Sequence, residues 1–135
     1  MKIDLNDRAV LFTGADNRVT ASAKKALVAN GASVIDDAAV PDLLIVSFPL
    51  VPCAGIQLEP SVAKARSVAQ AMGAGSRIVF ILSAIAAMPM RRYPEYSTQM
   101  AAAPVMGAIS RTARLKCGFR LLRKNPRHYA IIIIM

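Results

Sequence analysis

The order of segments along the chain predicts an α/β fold, in which a mostly parallel sheet of about five strands carries helices on both faces. Short apolar runs alternate with longer segments that have helical spacing. A strand, a helical crossover and a second strand form a parallel pair, and the crossover is almost always right-handed. The chain has 135 residues, which suits one core of ordinary size. We therefore expect a single domain, 1–135.

The amino-terminal half predicts three strands, at 8–15, 33–35 and 42–48. Each is a short apolar run that ends at polar or turn-forming residues. Between the first two strands, residues 19–30 repeat small apolar side chains at helical spacing. Asn17 or Thr20 can cap this helix, and Gly31 can end it. The continuous hydrophobicity of 42–48 is typical of a parallel strand that is covered on both faces.

The second half predicts a helix at 61–72 and a longer helix from 94 to about 116. Pro94 suits the first turn of the longer helix, and Pro104 predicts a kink or a break within it. Two further strands are predicted, at 77–83 and 129–135. This is a Rossmann-like order, in which ligands bind beyond the carboxyl ends of the strands. The residues expected to gather there are Thr13, Gly14, Asp36, Ser47 and Ser83.

The composition argues against membrane, secreted and metal-binding classes. No apolar run reaches the roughly eighteen residues that a membrane helix needs. The first residues, MKIDLNDR, lack the apolar segment of a secretory signal, so we expect a cytoplasmic protein. Cys53 and Cys117 have no histidine or cysteine at ligand spacing, which predicts buried thiols and no metal site.

The net charge of +9 is concentrated near the carboxyl end of the chain. The basic residues of this segment are Arg111, Arg114, Lys116, Arg120, Arg123, Lys124 and Arg127. A solvated face at the end of a helix is the simpler interpretation, and a phosphate-binding surface is the alternative. Only one aromatic side chain, Phe119, stands among these basic residues, which is too few for a base-stacking platform, so a nucleic-acid partner is not expected.

Three segments together resemble the short-chain dehydrogenase/reductase family. Residues 11–20, LFTGADNRVT, are similar to the family's cofactor turn T-G-x-x-x-G-x-G, which follows its first strand. Residues 31–34, GASV, are similar to the start of its second strand. The most specific likeness is 77–102, which resembles the family's strand, active-site serine and Y-S-x-x-K-A-A motif. Ser83 and Tyr96 match the catalytic serine and tyrosine.

The resemblance implies an oxidoreductase that uses NAD or NADP. In the family, the tyrosine is a general acid toward a carbonyl oxygen, the serine polarises that oxygen, and the nicotinamide supplies hydride. Thr13 and Gly14 would lie at the cofactor phosphates, beside the amino end of the first helix. Asp36 and Asp37 follow the second strand, where a family acid binds the adenosine ribose. A role in forming a turn explains these two aspartates equally well.

The resemblance also shows losses. Arg18 and Thr20 replace two of the three cofactor glycines, and each adds a side chain where the phosphates need bare backbone. Arg18 could itself pair with a phosphate and is kept as a candidate cofactor ligand. Met100 replaces the family lysine, which lowers the tyrosine pKa from its ordinary value of about 10. The catalytic asparagine has no counterpart, since no asparagine lies between Asn30 and Asn125.

The resemblance and these losses predict a truncated, degenerate homologue with lost or much reduced oxidoreductase activity, in which NAD or NADP binds weakly or not at all. Such a chain would act as an oligomeric or partner-binding subunit. The alternatives are a working NAD(P)H-dependent carbonyl reductase of unusual form and a basic binding module for an acidic partner. The family's matching helices, 61–72 and 94–116, pack against their copies, which implies a homodimer or a tetramer. An uncovered edge strand at 131–135 would also favour assembly.

Overall fold

The computed structural model describes residues 4–37, 39–52, 58–83, 85, 91–107, 118–122 and 130–134. Within these ranges the chain forms three helices and six strands. In chain order they are β1 Ala9–Gly14, α1 Arg18–Ala29, β2 Ser33–Ile35, β3 Leu43–Ser47, α2 Glu59–Ala71, β4 Arg77–Ser83, α3 Pro94–Gly107, β5 Gly118–Leu122 and β6 Ala130–Ile134.

The six strands form one sheet in the order β2-β1-β3-β4-β6-β5. The first four strands of the sheet are parallel, as predicted. β6 runs antiparallel to β4, and β5 runs antiparallel to β6. The Rossmann-like α/β class is confirmed, although the sheet has six strands rather than about five because β5 was not predicted.

The expectation that 131–135 forms an uncovered edge strand is wrong. β6 lies between β4 and β5, and both of its sides are hydrogen-bonded. The physical reason is the antiparallel pairing of β5, which satisfies the backbone groups that an edge strand would expose. The edges of the sheet are β2 and β5.

The strands alternate their side chains between two apolar cores, which confirms that helices cover both faces. On one face, Leu44, Val46 and Phe80 pack with residues of α2 and α3. On the other face, Ile45 and Ile81 pack beside residues of α1. β3 and β4 are therefore covered on both sides, which explains their continuous hydrophobicity.

The ends of α1 are formed by the residues that the sequence indicated. The Asn17 side chain caps the amino end. At the carboxyl end, the Gly31 and Ala32 amides donate to the Val28 and Leu27 carbonyls in a Schellman arrangement. Gly31 has a φ of 92°, a conformation that favours glycine.

Other element bounds lie close to those predicted. α2 starts at Glu59, two positions before the predicted start at 61, because Pro60 is accommodated in its first turn. α3 begins at Pro94, and its helix continues through Pro104 to Gly107. The rest of the predicted helix, 108–116, lies outside the described residues. No helix within the described ranges combines the length and apolar character needed to span a bilayer.

Candidate functional site

The predicted crevice lies where β1 and β3 run side by side. From β1 the chain continues to β2 on one side and later returns to β3 on the other, so the topological switch point is between β1 and β3. Thr13 is paired with Val46, and Gly14 with Ser47, at the carboxyl ends of these strands. Thr13, Gly14 and Ser47 are therefore brought together as the sequence predicted.

Gly14 is required by the close approach of the two strands. Its φ is 97°, and a Cβ at this position would lie 2.0 Å from the Ser47 carbonyl oxygen. The next residue, Ala15, donates its backbone N–H to the same oxygen at 2.8 Å. Packing alone thus explains why a glycine stands at the end of β1, whether or not a cofactor binds there.

Three polar side chains, Asn17, Thr20 and Ser47, form what we call the switch-point cluster. The Asn17 Nδ2 donates to the Ser47 Oγ at 2.8 Å, and the Thr20 and Ser47 hydroxyl oxygens are also 2.8 Å apart. Ser47 is 1% exposed and Thr20 is 6% exposed. Because buried hydroxyls need hydrogen-bond partners, this cluster fixes the first turn of α1 against β3. Sequence reasoning did not connect these residues, although Ser47 stands out as a polar residue within an apolar run.

The amino end of α1 is closed by the chain itself. The Asn17 Oδ1 accepts hydrogen bonds from the backbone N–H groups of Val19 at 2.9 Å and Thr20 at 3.0 Å. A phosphate at a helix amino end binds such free N–H groups. A cofactor pyrophosphate would therefore have to displace the Asn17 side chain. Arg18 lies beside this turn with an exposed side chain.

Asp36 and Asp37 follow β2 and are both exposed. The Asp37 carboxylate lies 2.5 Å from the Lys64 Nζ on α2. Asp36 contributes to a turn, because its carbonyl oxygen accepts the Ala39 N–H at 3.4 Å. These contacts support the interpretation of both residues as elements of the loop after β2.

The Ser83 and Tyr96 hydroxyl groups are enclosed. Tyr96 is 3% exposed, and its hydroxyl donates to the Pro49 carbonyl oxygen. Ser83 is 4% exposed, and its Oγ accepts the Ile85 N–H at 3.4 Å. Met100 is fully buried in the same core as Tyr96. Ser83 and Tyr96, which match the family's catalytic serine and tyrosine, and Met100, which stands in place of its lysine, are thus part of the protein interior.

The possible metal ligands and the basic residues at 111–127 are the remaining candidates for functional residues. Among the residues that the structure describes, no three histidine, cysteine, aspartate or glutamate side chains are grouped to hold a metal ion. Cys53 and Cys117 lie outside the described residues. Of the seven basic residues between 111 and 127, only Arg120 lies within a described element, where it belongs to β5. The structure therefore places Arg120 on a strand and not at the end of a helix. The other six basic residues lie outside the described residues.

Comparison with known proteins gave no match to a protein-family model and none to a curated protein. The likeness to short-chain dehydrogenases/reductases therefore rests on the motifs and their spacing in the sequence.

Proposed function

We propose that this chain is a degenerate short-chain dehydrogenase/reductase homologue that lacks working oxidoreductase activity and serves as an oligomeric or partner-binding subunit. The observation that carries the proposal is the closed amino end of α1. There, Asn17 occupies the N–H groups of Val19 and Thr20, and the switch-point cluster ties the same turn to β3.

The energetic argument concerns what a cofactor would have to displace. Removing a helix-capping side chain costs about 1 kcal/mol. Moving Asn17 also removes one of the two hydrogen-bond partners of the buried Ser47 hydroxyl, which keeps Thr20, and the loss of one hydrogen bond costs roughly 0.5–1.5 kcal/mol. These costs subtract directly from the binding free energy of NAD or NADP, so the affinity should be low.

The chemical argument concerns the proton. To act as a general acid, Tyr96 would have to release the Pro49 carbonyl and become accessible to a substrate, and the core around it would have to open. Met100 supplies no positive charge to hold a nicotinamide ribose or to lower the tyrosine pKa. Both points support a structural role for Tyr96.

The first test is a titration with NADH and NADPH, followed by nicotinamide fluorescence. We expect no saturable binding in the micromolar range and no turnover of general ketones or aldehydes at neutral pH. An active dehydrogenase measured in the same buffer is the positive control. Saturable micromolar binding would contradict the proposal, and its loss in Arg18→Ala would show that the arginine replaces the missing glycine contacts with the phosphates.

The second test concerns assembly. We propose a homodimer, or a tetramer built from it, through the outer faces of α2 and α3. In support, Ala63, Ala71 and Ala101 are exposed small residues on these helices, and small residues allow close helix approach. Light scattering after size exclusion should give at least twice the monomer mass of 14.4 kDa.

A matched pair of substitutions locates the interface. Ala101→Arg on α3 should dissociate the assembly, because a long charged side chain prevents close packing of the helices. Ala26→Arg introduces the same change at an exposed position on α1 and should leave the assembly intact. A wild-type chain that stays monomeric at low micromolar concentration would refute the assembly proposal.

A further inference from the structure

A cavity of about 260 Å³ lies at the edge of the sheet opposite the switch point, where β1, β3 and β4 begin. We call it the amino-edge cavity. Its apolar and charged lining residues include Leu5, Val10, Leu43, Arg8, Asp42 and Arg77. None of these residues belongs to the switch-point cluster, and none matches a functional position of the family motifs.

The floor of the amino-edge cavity is apolar. Val10, Leu43 and Arg77 are aligned in register across three neighbouring parallel strands. Val10 belongs to the core on the α1 face, and Leu5 and Leu43 pack against that core. In this row of three aligned residues, Arg77 is the charged member, and Val10 and Leu43 on the two neighbouring strands are apolar.

The mouth of the cavity has an excess of positive charge. The Asp42 Oδ2 accepts the Ala9 backbone N–H at 3.0 Å, and the Asp42 Oδ1 lies 3.6 Å from the Arg8 Nη1. Arg77 is exposed, and no ion pair involves it among the residues that the structure describes. Two guanidinium groups face one carboxylate, so the charged side chains of the lining carry one net positive charge.

We propose that the amino-edge cavity binds a small organic monocarboxylate with a short apolar tail. Guanidinium groups pair with carboxylates through two parallel hydrogen bonds, which favours this anion at Arg77. The tail would cover Leu5 and Leu43, which are only partly buried, and remove their remaining apolar surface from water. The single negative charge of a carboxylate balances the one net positive charge at the mouth of the cavity. A phosphate dianion carries more charge than the mouth can balance, and it has no apolar tail.

The size of the cavity limits the ligand. Cavities that hold drug-sized molecules measure about 300–1,000 Å³, and the amino-edge cavity is slightly smaller. Hexanoate is a suitable probe because it combines one carboxylate with a short unbranched chain. This proposal is independent of the proposed function, since the two sites lie at opposite ends of the strands.

The experiment is a titration of the nitrogen-15-labelled full chain with sodium hexanoate at constant ionic strength, followed by amide chemical shifts. We expect saturable shifts centred on Leu43 and Gly75, with a dissociation constant in the millimolar range. Hexan-1-ol has the same tail without the charge and should bind about tenfold more weakly, as should inorganic phosphate. Equal binding of hexan-1-ol or of phosphate would overturn the proposal, as would the absence of saturable shifts.

Three variants separate the charge effect from general changes in the protein. Arg77→Gln should weaken hexanoate binding about tenfold. Asp42→Asn retains an acceptor for the Ala9 N–H but removes the opposing charge, so hexanoate should bind several-fold more tightly. Arg91→Gln changes an exposed arginine outside the cavity and should have no effect. Unchanged affinity in both Arg77→Gln and Asp42→Asn would overturn the proposal, and thermal unfolding of each variant confirms that it is folded.

Discussion

Met100→Lys is expected to destabilise the protein by about 4 kcal/mol and to produce no reductase activity. The substitution restores the family lysine in the sequence motif. However, Met100 is fully buried in the core formed with α2 and α3, beside Tyr96. A lysine there must either bury an unpaired ammonium group or lose its proton, and both cost free energy.

The pH dependence of this variant follows from the direction of the shift. Burial lowers the folded-state pKa of a lysine below its ordinary value of about 10.4. The penalty is therefore fully present below the folded-state pKa and disappears as the pH rises toward the unfolded-state pKa. The difference in the free energy of unfolding between wild type and Met100→Lys should shrink as the pH is raised.

Urea unfolding at neutral and alkaline pH measures this difference. Met100→Leu is the matched control, since it retains an apolar side chain of similar size and should cost less than about 1.5 kcal/mol. A Met100→Lys variant that is as stable as the wild type and reduces ketones with NADH or NADPH would contradict both the buried position of Met100 and the proposed loss of activity.

Gly14→Ala is expected to lower the free energy of unfolding by about 3 kcal/mol. The first cause is the φ of 97°, which an alanine adopts only with strain. The second is the position of the added Cβ, 2.0 Å from the Ser47 carbonyl oxygen. Because Ser47 lies within a strand between β1 and β4, its backbone cannot move aside without disturbing the sheet.

Gly75→Ala separates these two causes. Gly75 has a similar φ of 89°, but nothing lies within 4 Å of a Cβ added there. This variant should therefore lose only the strain contribution, about 1 kcal/mol. Urea unfolding of both variants gives the comparison, and equal losses would show that the contact with Ser47 contributes nothing.

The elements that local patterns define were predicted well. The structure has β2 and β4 at the predicted positions 33–35 and 77–83, and it has α1 within one residue of the predicted 19–30 at each end. These elements depend on apolar spacing and on nearby caps such as Asn17 and Gly31, which act over a few residues. The parallel pairs β1–β2 and β3–β4 follow from the helical crossovers α1 and α2, whereas no described helix lies between β2 and β3.

β5 was missed because its signal is weak and its partner is distant along the chain. Its sequence, GFRLL, is short and lies within a basic segment. It becomes a strand by pairing with β6, so that its formation depends on a contact outside its own segment. The same pairing placed the apolar tail inside the sheet, contrary to the expectation for 131–135.

The candidate site likewise combines residues that the sequence identified with contacts that only the folded chain forms. Gly14 could be singled out because it matches the family motif that the sequence resembles, and Thr20 and Met100 because they depart from it. The hydrogen bonds of Asn17 and Thr20 to Ser47 join residues that are 30 and 27 positions apart. These hydrogen bonds form because β1 and β3 are neighbours in the sheet. The two strands become neighbours only when the chain folds.

By itself, the sequence determined the α/β class, most element bounds and the residues at the carboxyl ends of β1 and β3, since these depend on short-range periodicity and on the parallel order of strands. Only the tertiary structure decided that Asn17 closes the amino end of α1, that Tyr96 is enclosed, and that Arg77 is aligned with Leu43 at a cavity. The physical reason is that burial, strand register and side-chain hydrogen bonds are set by segments that meet only after folding.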